Sequence, residues 1–491
     1  MLESVSIGID LGTSGVKIIA VDTTGLSVAE SSATYPLLTP HPGWTEQNPA
    51  DWLHGVQTAL KALTQQLTGK YQPVAIGVAG QMHGAVFLDS SLSVIRPAPL
   101  WNDQRTSAAC LEIEAAVPHL ELIQRTGNMA VTGFQLPKLV WLRQAEPEYY
   151  AKVRHVLLPK DYLNFALTGQ LATDPSDASG VGALNLARRD WDLDILSALK
   201  IDSSLFPTVQ ASHSVVGKLS AGWAESTGLP EGLPVVAGAG DNAGAQIGLG
   251  VSSANLGVGS VSLGTSGVIV VPLPEATAEP NGRVHLFCHA DGGYFFLGCT
   301  LSAAGSLQWF RDTLAQGVPF EQLMQEAAVV PSGSDGLSFM PYLAGERSPH
   351  LNPNLRGAWL GLSLAHTRGH LTRAILEGVA FSLRQTLEVM NPIAKAKKLL
   401  SVGGGTRSSL WLGIIGQALG VPLEKPTLEE GPARGAAILG LVGAGVYPSV
   451  AAALTATAPS SETIVIGHDN SLEAAFSSYQ KGFVAVSSYS T

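Results

Sequence analysis

Charge, cysteine and long apolar runs are all scarce in this sequence, and each shortage removes a class of function. Charged side chains make up only 14% of the 491 residues, and the formal net charge is −10. Lys395, Lys397 and Lys398 form the one tight basic group, which a solvated surface turn explains. An acidic chain without basic clusters or long basic helices is not built to hold nucleic acid or an anionic membrane. Any phosphate it binds must be gripped locally, by backbone amides, a metal ion or one or two cations. The three cysteines (Cys110, Cys288, Cys299) are odd in number and lack C-x-x-C spacing. That argues against a disulfide framework and a zinc site, and fits small buried hydrophobes in a reducing compartment. No run approaches the ~18–20 uninterrupted apolar residues of a membrane span. The N-terminus MLESVSIGID lacks the basic flank and apolar core of a signal peptide. The expectation is a soluble cytoplasmic protein.

Three phosphate-binding signatures are missing as well. There is no G-x-x-x-x-G-K-[ST] loop, no G-x-G-x-x-G strand–helix unit and no protein-kinase H-R-D and D-F-G set. What the chain does have is glycine, 54 residues of it, with 45% hydrophobic residues. That composition suits a well-buried globular enzyme with many tight turns. The length exceeds what one core usually holds, so two domains are expected.

The hexapeptide LGTSGV at 11–16 recurs at 263–268 in a matching context. Val5, Ile7 and Ile9 alternate into the first copy, and a second strand runs from Val16 to Val21. Val261 and Leu263 lead into the other copy, and a strand follows from Val268 to Val271. Both read as β-hairpins whose glycines meet a need for positive φ or for close approach by a ligand. A repeated hairpin opening each half suggests duplicated domains. PVAIGVAG (73–80), HVLLP (155–159) and PVVAGAG (234–240) read as buried strands. Leu371, Ile375, Val379 and Leu383 form one helical stripe within 371–390. Residues 399–420 read as a strand, a glycine turn and a helix capped by Ser408 or Ser409. The fold class expected is α/β, with two domains, 1–248 and 249–491, flanking a cleft.

A Gly-Thr-Ser-Gly turn can aim several amides and two hydroxyls at one spot, making a pocket for phosphate oxygens. Thr13, Ser14 and, as a cation, Lys17 are the candidates in the first copy. Two such hairpins on one cleft would clamp a polyphosphate. Asp10 precedes the first turn where Ser262 precedes the second. A carboxylate beside a phosphate loop repels the anion unless a cation intervenes, so Asp10 implies a divalent metal, magnesium with retained waters. Asp241, in GAGDNAG after an apolar strand, is either an N-cap or the carboxylate that orients an alcohol and takes its proton. The flanking glycines and Asn242 favour the second role. Gln81, Met82 and His83 occupy a loop after a buried strand, a place for substrate-facing donors. PLWNDQR, with Trp101, Asn102 and Asp103, and LPKDY (158–162) read equally as capped surface loops or as binding segments.

Taken together, IGIDLGTSGVK, HPGWTEQNPADW, GQMHGAVFLD, LWNDQR, LLPKDYLNFALTG, AGAGDNAGAQIGLG, SLGTSGV, YLAGERSPHLNPNLRGAWLGL and GGGTRSSLWLGIIGQALG resemble the FGGY carbohydrate kinases. The resemblance runs from about residue 5 to about 445 and leaves the tail after about 447 uncovered. Within the family, the QMHG loop and LPKDYL are similar to the branch that acts on D-xylulose. The resemblance implies two ribonuclease H-like domains, of the actin and heat-shock ATPase type, closing over ATP and sugar. It implies that Asp10 is the metal-associated carboxylate and that Thr13, Ser14 and Lys17 approach the transferred phosphoryl group. Asp241 matches the catalytic base. Met82 and His83 match the substrate loop, where glycerol kinases carry an Arg-Glu pair. Gly264, Thr265, Gly305, Gly404, Gly405 and Ser408 match nucleotide-binding positions, Ser408 standing where glycerol kinases have Asn. A homodimer is implied by analogy. Sister kinases for ribulose, gluconate or fuculose, and a nucleotide-driven clamp without sugar chemistry, remain the alternatives.

Overall fold

The computed structural model describes residues 2–428, 431–464 and 470–489. The first half builds a sheet from β1 (Glu3–Leu11), β2 (Gly15–Asp22), β3 (Ser27–Thr34), β4 (Tyr71–Gly80), β5 (Val215–Lys218), β6 (Pro234–Val236) and β7 (Ala239–Gly240). Its spatial order is β5-β6-β4-β1-β2-β3, with β7 also beside β4. The second sheet uses β8 (Val258–Leu263), β9 (Gly267–Leu273), β10 (His285–Cys288), β11 (Tyr294–Thr300), β12 (Lys398–Val402), β13 (Leu423–Pro426) and β14 (Ser461–Ile464), in the order β10-β11-β9-β8-β12-β13-β14. In the first sheet β1 is antiparallel to β2 and parallel to β4; in the second β8 is antiparallel to β9 and parallel to β12. The path β3-β2-β1-β4-β6 is repeated, sense for sense, as β11-β9-β8-β12-β13. The two hexapeptides are the equivalent first turns of these sheets, as a duplication requires.

Eight helices bear on the site: α1 (Pro49–Leu67), α2 (Pro159–Thr168), α3 (Pro175–Ala178), α4 (Asp241–Leu249), α5 (Ala304–Thr313), α6 (Arg368–Met390), α7 (Ser409–Leu419) and α8 (Pro432–Gly443). The run expected as a strand at 155–159 is a strand only over His155–Leu157, because Pro159 fixes the φ of the first turn of α2. The stripe in α6 is real: Ile375, Val379 and Leu383 are fully buried. Ser408 caps α7, its Oγ accepting from the Trp411 amide at 3.2 Å. Beyond the family-like region, β14 extends the second sheet and a final helix, Asn470–Tyr489, bonds Tyr479 Oη to Tyr342 Oη at 2.7 Å.

Both faces of the first sheet are covered. Asn48 caps α1, and its apolar face, Trp52, Val56, Leu60 and Leu63, packs with Ile7, Ile9 and Ile18 in one core. The alternate residues Ile19 and Val21 pack on Ala433 and Ala437 of α8. So a helix from the second half of the chain completes the first sheet, across the expected division at 248/249. Glycine permits it: a Cβ on Gly8 would stand 1.8 Å from the Ala433 carbonyl oxygen, and one on Gly77 1.9 Å from that of Ala436. Arg434, 2% exposed, pins the crossing by donating to the carbonyls of Gly25, Gly248 and Thr457. Arg434→Met orphans these carbonyls at a cost of about 1–3 kcal/mol. We expect the thermal midpoint to fall by several degrees in differential scanning fluorimetry; an unchanged midpoint would remove this role.

Candidate active site

Register brings the two candidate carboxylates to one end of the first sheet. Asp10 on β1 and Ala239 on β7 both lie opposite Ala79 of the strand between them. Asp241 follows two residues later, as the first residue of α4. Its Oδ1 accepts from the Asn242 backbone amide at 2.7 Å and from Asn242 Nδ2 at 2.9 Å. Burial pushes the Asp241 carboxyl up to about 6 against those two bonds. Burial, and then the charge of Asp241, pushes Asp10 up to about 7, with Lys17 pulling the other way. Two half-buried carboxyls, both raised by burial and one further by its neighbour's charge, form a site short of positive charge.

The first hairpin turn is braced from behind. Gly12 N–H donates to the Gly15 carbonyl at 3.0 Å, and Tyr35 Oη donates to the Gly12 carbonyl. Thr13 Oγ1 donates to Gln81 Oε1 at 3.1 Å and accepts from Trp101 Nε1 at 2.9 Å. Gln47 Nε2 donates to the Thr13 carbonyl at 2.7 Å, while its Oε1 accepts from Gln81 Nε2 and Trp52 Nε1, each at 3.0 Å. Gln81, expected at the sugar, is instead 1% exposed and spends its side chain holding this turn. The expected positive φ is absent at Gly12, Gly15, Gly264 and Gly267. Gly15 and Gly267 are needed because a Cβ would meet the Ala33 carbonyl at 2.5 Å or Thr300 Oγ1 at 2.7 Å. A Cβ on Gly12 would sit tightly against the Gly15 carbonyl at 3.2 Å, while one on Gly264 would make only ordinary contact at 3.7 Å. Ser14 is exposed. Lys17 pairs with Glu30 at 3.3 Å, with side chains 45% and 64% exposed. Such an exposed pair is worth little and releases the ammonium readily.

At the second hairpin, Gly264 N–H donates to the Ser266 carbonyl at 3.0 Å, so identical hexapeptides close their turns differently. The start of α5 docks here: Ala303 and Gly305 N–H donate to the Thr265 carbonyl at 2.8 and 3.2 Å, and Ala304 N–H to that of Gly264 at 2.9 Å. The turn at 403–405 closes on the same place, a Cβ on Gly405 lying 2.8 Å from Leu263 Cβ. Gly404 has nothing within 4 Å of its Cβ position. Gly264, Thr265, Gly305, Gly404 and Gly405 therefore converge, and Ser408 follows at the α7 cap.

Next to the carboxylates, Met82 is buried with its Sδ 3.8 Å from Asn242 Nδ2. His83 adopts a φ of 70°, stacks on Phe134 at 4.5 Å, and places Nδ1 2.7 Å from the Gly180 carbonyl. A carbonyl only accepts, so Nδ1 carries the proton and Nε2 is left as an acceptor. Burial, with help from Lys138, His285 and Arg347, holds the imidazole neutral, well below its ordinary value. Trp101 is exposed and reaches Thr13, as above. Asn102 Oδ1 accepts from Thr45 Oγ1 at 2.7 Å. Asp103, expected at the substrate, is fully buried and bound to Arg105 at 2.6 and 2.8 Å and to the Thr45 amide at 2.7 Å. Its carboxylate secures the loop before α1 and has no oxygen left for a sugar.

Residues 5–248 match the N-terminal domain, and residues 259–444 the C-terminal domain, of the FGGY family of carbohydrate kinases. The chain belongs to that family. It is a phosphotransferase of the carbohydrate-kinase type. The kinase is 40% identical to the xylulose kinase of Bacillus subtilis over 448 residues, covering 90% of this chain and 89% of that one. It is 40% identical to the xylulose kinase of Escherichia coli, covering 89% and 90%. A solved "xyloylose kinase" from Brucella ovis superposes with a TM-score of 0.90 at 35% identity, covering 99% of each chain.

In such a kinase the donor set at Asp10 fits a hard divalent cation, because two carboxylates face a site whose lysine is paired elsewhere. No group of three or more ligating side chains converges among the described residues. A bound ion would therefore complete its shell with water and phosphate oxygens. Sequence reasoning missed Gln47 and Tyr35, which brace the first turn through contacts 34 and 23 residues away in the chain. A Gln or Tyr following a hairpin carries no local signal of such a partner.

Proposed function

We propose that the kinase transfers the γ-phosphoryl group of ATP to the terminal hydroxyl of D-xylulose, giving D-xylulose 5-phosphate and ADP. The observation that carries this reading is the shared strand end of Asp10 and Asp241, set between a sugar-side loop at 82–83 and two phosphate hairpins. Asp241 uses its free Oδ2 to orient the hydroxyl and take its proton as the oxygen attacks in line. Met82, His83 and Asn242 line the sugar side, with Trp101 at the rim. Thr13, Ser14 and Lys17 approach the transferred group from one sheet, and the 264–265, 305 and 404–408 segments hold the nucleotide from the other. Through water Asp10 would hold magnesium, which would supply positive charge beside the phosphate oxygens. We take 1–248 as the sugar-side domain and 249–491 as the nucleotide-side domain, with α8 lent across the division, in a cytoplasmic homodimer.

The test is ADP release from magnesium-ATP with xylulose, ribulose, gluconate, fuculose and glycerol, each against a blank without sugar. A strong response to D-xylulose alone is expected. A larger response to another sugar would overturn the specificity, and no response to any would favour a nucleotide-driven clamp. His83 gives a finer check. His83→Phe keeps the stack on Phe134 and removes the Nε2 acceptor together with the Nδ1 bond to the Gly180 carbonyl, of which the lost sugar contact is worth about 1 kcal/mol. The KM for sugar should rise roughly 5- to 10-fold with the KM for ATP unchanged; equal sugar KM values would remove His83 from the sugar site.

A further inference from the structure

The segment LPKDY, which reads from sequence as either a surface loop or a binding segment, lies inside the molecule. Lys160, second residue of α2, is fully buried. Its Nζ lies 2.6 Å from Asp161 Oδ1, 3.2 Å from Asp174 Oδ1 and 4.0 Å from Asp177 Oδ2. One ammonium thus faces three buried carboxyls. Burial drives Asp177 well above the ordinary carboxylate range, with Lys160 pulling the other way, and neither of its oxygens has a hydrogen-bond partner. Burial opposes the lysine's charge, but the carboxylates hold it charged all the same.

As a source of stability such a cluster is poor, because desolvation takes back most of the attraction. What it supplies is direction. Lys160 Nζ also donates to the Ala237 carbonyl at 3.0 Å. Asn164 Nδ2, one turn along α2, donates to the same carbonyl at 2.9 Å. Ser176 of α3 donates to Asp174 Oδ2 at 2.5 Å and accepts the Gly240 N–H at 3.2 Å. Ser212 Oγ donates to Asp174 Oδ2 at 2.8 Å, and the Ser212 carbonyl accepts the Gly238 N–H at 2.8 Å. The stretch held in this way is Ala237-Gly238-Ala239-Gly240, and Asp241 comes next. Those four residues have no side chain that could anchor them, and glycine carries the largest backbone entropy. Gly238, at φ 79°, runs so close to β4 that a Cβ would lie 1.8 Å from the Val78 carbonyl oxygen. The anchoring atoms must come from outside the turn: β4 and the 212–214 segment hold part of it, and α2 and α3 add the bonds to the Ala237 carbonyl and the Gly240 amide.

We propose that Lys160 and Ser176 are positioning residues for Asp241, fixing the turn that delivers its carboxylate to the sugar hydroxyl. The inference rests on Asp241 being the base. The geometry of proton transfer is demanding, and a displacement of about 1 Å can lower a rate ~100-fold.

The experiment compares Ser176→Ala, Lys160→Met and Asp241→Ala in the full chain. For each, kcat is expressed per ADP-binding site, counted by isothermal titration, so that unfolded protein does not enter the rate. Ser176→Ala should lower kcat at least tenfold, with the KM for xylulose and for ATP within threefold of the parent. Lys160→Met should lower it further, or lose ADP binding outright if the cluster cannot fold without its cation; Ser176→Ala then decides. A structural role alone would thin the ADP-binding population and leave kcat per site unchanged. Parental kcat per site in Ser176→Ala, with Asp241→Ala inactive, would overturn the positioning role and leave the base intact. Parental kcat in Asp241→Ala would overturn the base itself.

Discussion

Replacing Asp241 by asparagine should lower kcat for sugar phosphorylation by about 10²–10⁴-fold, the usual contribution of a positioned general base. The substitution preserves shape and both Asn242 bonds can re-form to the amide oxygen, so the turn and α4 keep their places. What disappears is the capacity to take a proton. ADP binding, which we assign to the 264–265, 305 and 404–405 segments, should change by less than threefold in a calorimetric titration. The parent's pH profile carries the same signature. Burial raises the Asp241 carboxyl to about 6, and only its ionised form accepts a proton. Activity should therefore fall as pH drops through about 6, while the neutral His83 adds no inflection between pH 6 and 8. A variant with near-parental kcat would remove Asp241 as the base. A variant without ADP binding would mean that the side chain holds the nucleotide-competent fold and does more than accept a proton.

The repeated hexapeptide revealed more of the fold than any periodicity in the chain. A turn that must sit close to neighbouring strands at Gly15 and Gly267 tolerates few sequences, so duplication left it recognisable on both sheets. The strand-end positions of Asp10 and Asp241 were legible for a similar reason, since each follows an apolar run, though Asp241 also read as an N-cap, a place that the fold gives to Gly240. The cover of the first sheet was not. The composition of α8 marks it as a buried helix, but nothing local says that it packs on β1, β2 and β4, which lie some four hundred residues earlier. That choice is made by the missing side chains of Gly8 and Gly77, a steric fact visible only in three dimensions. Gln81 and Asp103 misled for the opposite reason. Both are polar residues after apolar runs, as substrate ligands often are, but each is turned inward, Gln81 to Gln47 and Thr13, and Asp103 to Arg105 and Thr45. LPKDY concealed its burial because charge ordinarily signals solvent, and the carboxyls of Asp174 and Asp177, from another segment, join Asp161 in bringing that charge inside.

Asp10→Asn is the substitution for which activity and stability should move in opposite directions. Asp10 has a folded-state value of about 7 against 3.8 without the fold, with burial as the first cause and Asp241 as the second. Between those two values the folded protein holds more protons than the unfolded chain, so its stability falls as pH rises from about 4 to 7 and does not recover above. Each pKa unit is worth about 1.4 kcal/mol, and solvent screening of a half-buried group trims the total to roughly 1–2 kcal/mol. Asparagine has no charge to bury, and it also relieves Asp241. At pH 8, without nucleotide or metal, the thermal midpoint should rise by about 1–2 °C. At pH 4.5, where Asp10 is already protonated in the fold, the variant and parent should melt together. Turnover should nonetheless drop by about 10²–10³-fold, the loss typical when one preorganised electrostatic contact to a transition state is removed. The parent should regain the missing stability when magnesium-ATP is added, because the cation answers the repulsion between the two carboxylates; the variant should gain less. A midpoint at pH 8 equal to the parent's would mean that Asp10 is not strained in the unliganded fold. Undiminished turnover would mean that the ion is held elsewhere. The predicted pairing of a more stable fold with a slower enzyme follows from one arrangement, two like charges kept close so that a cation and a phosphate can be gripped between them.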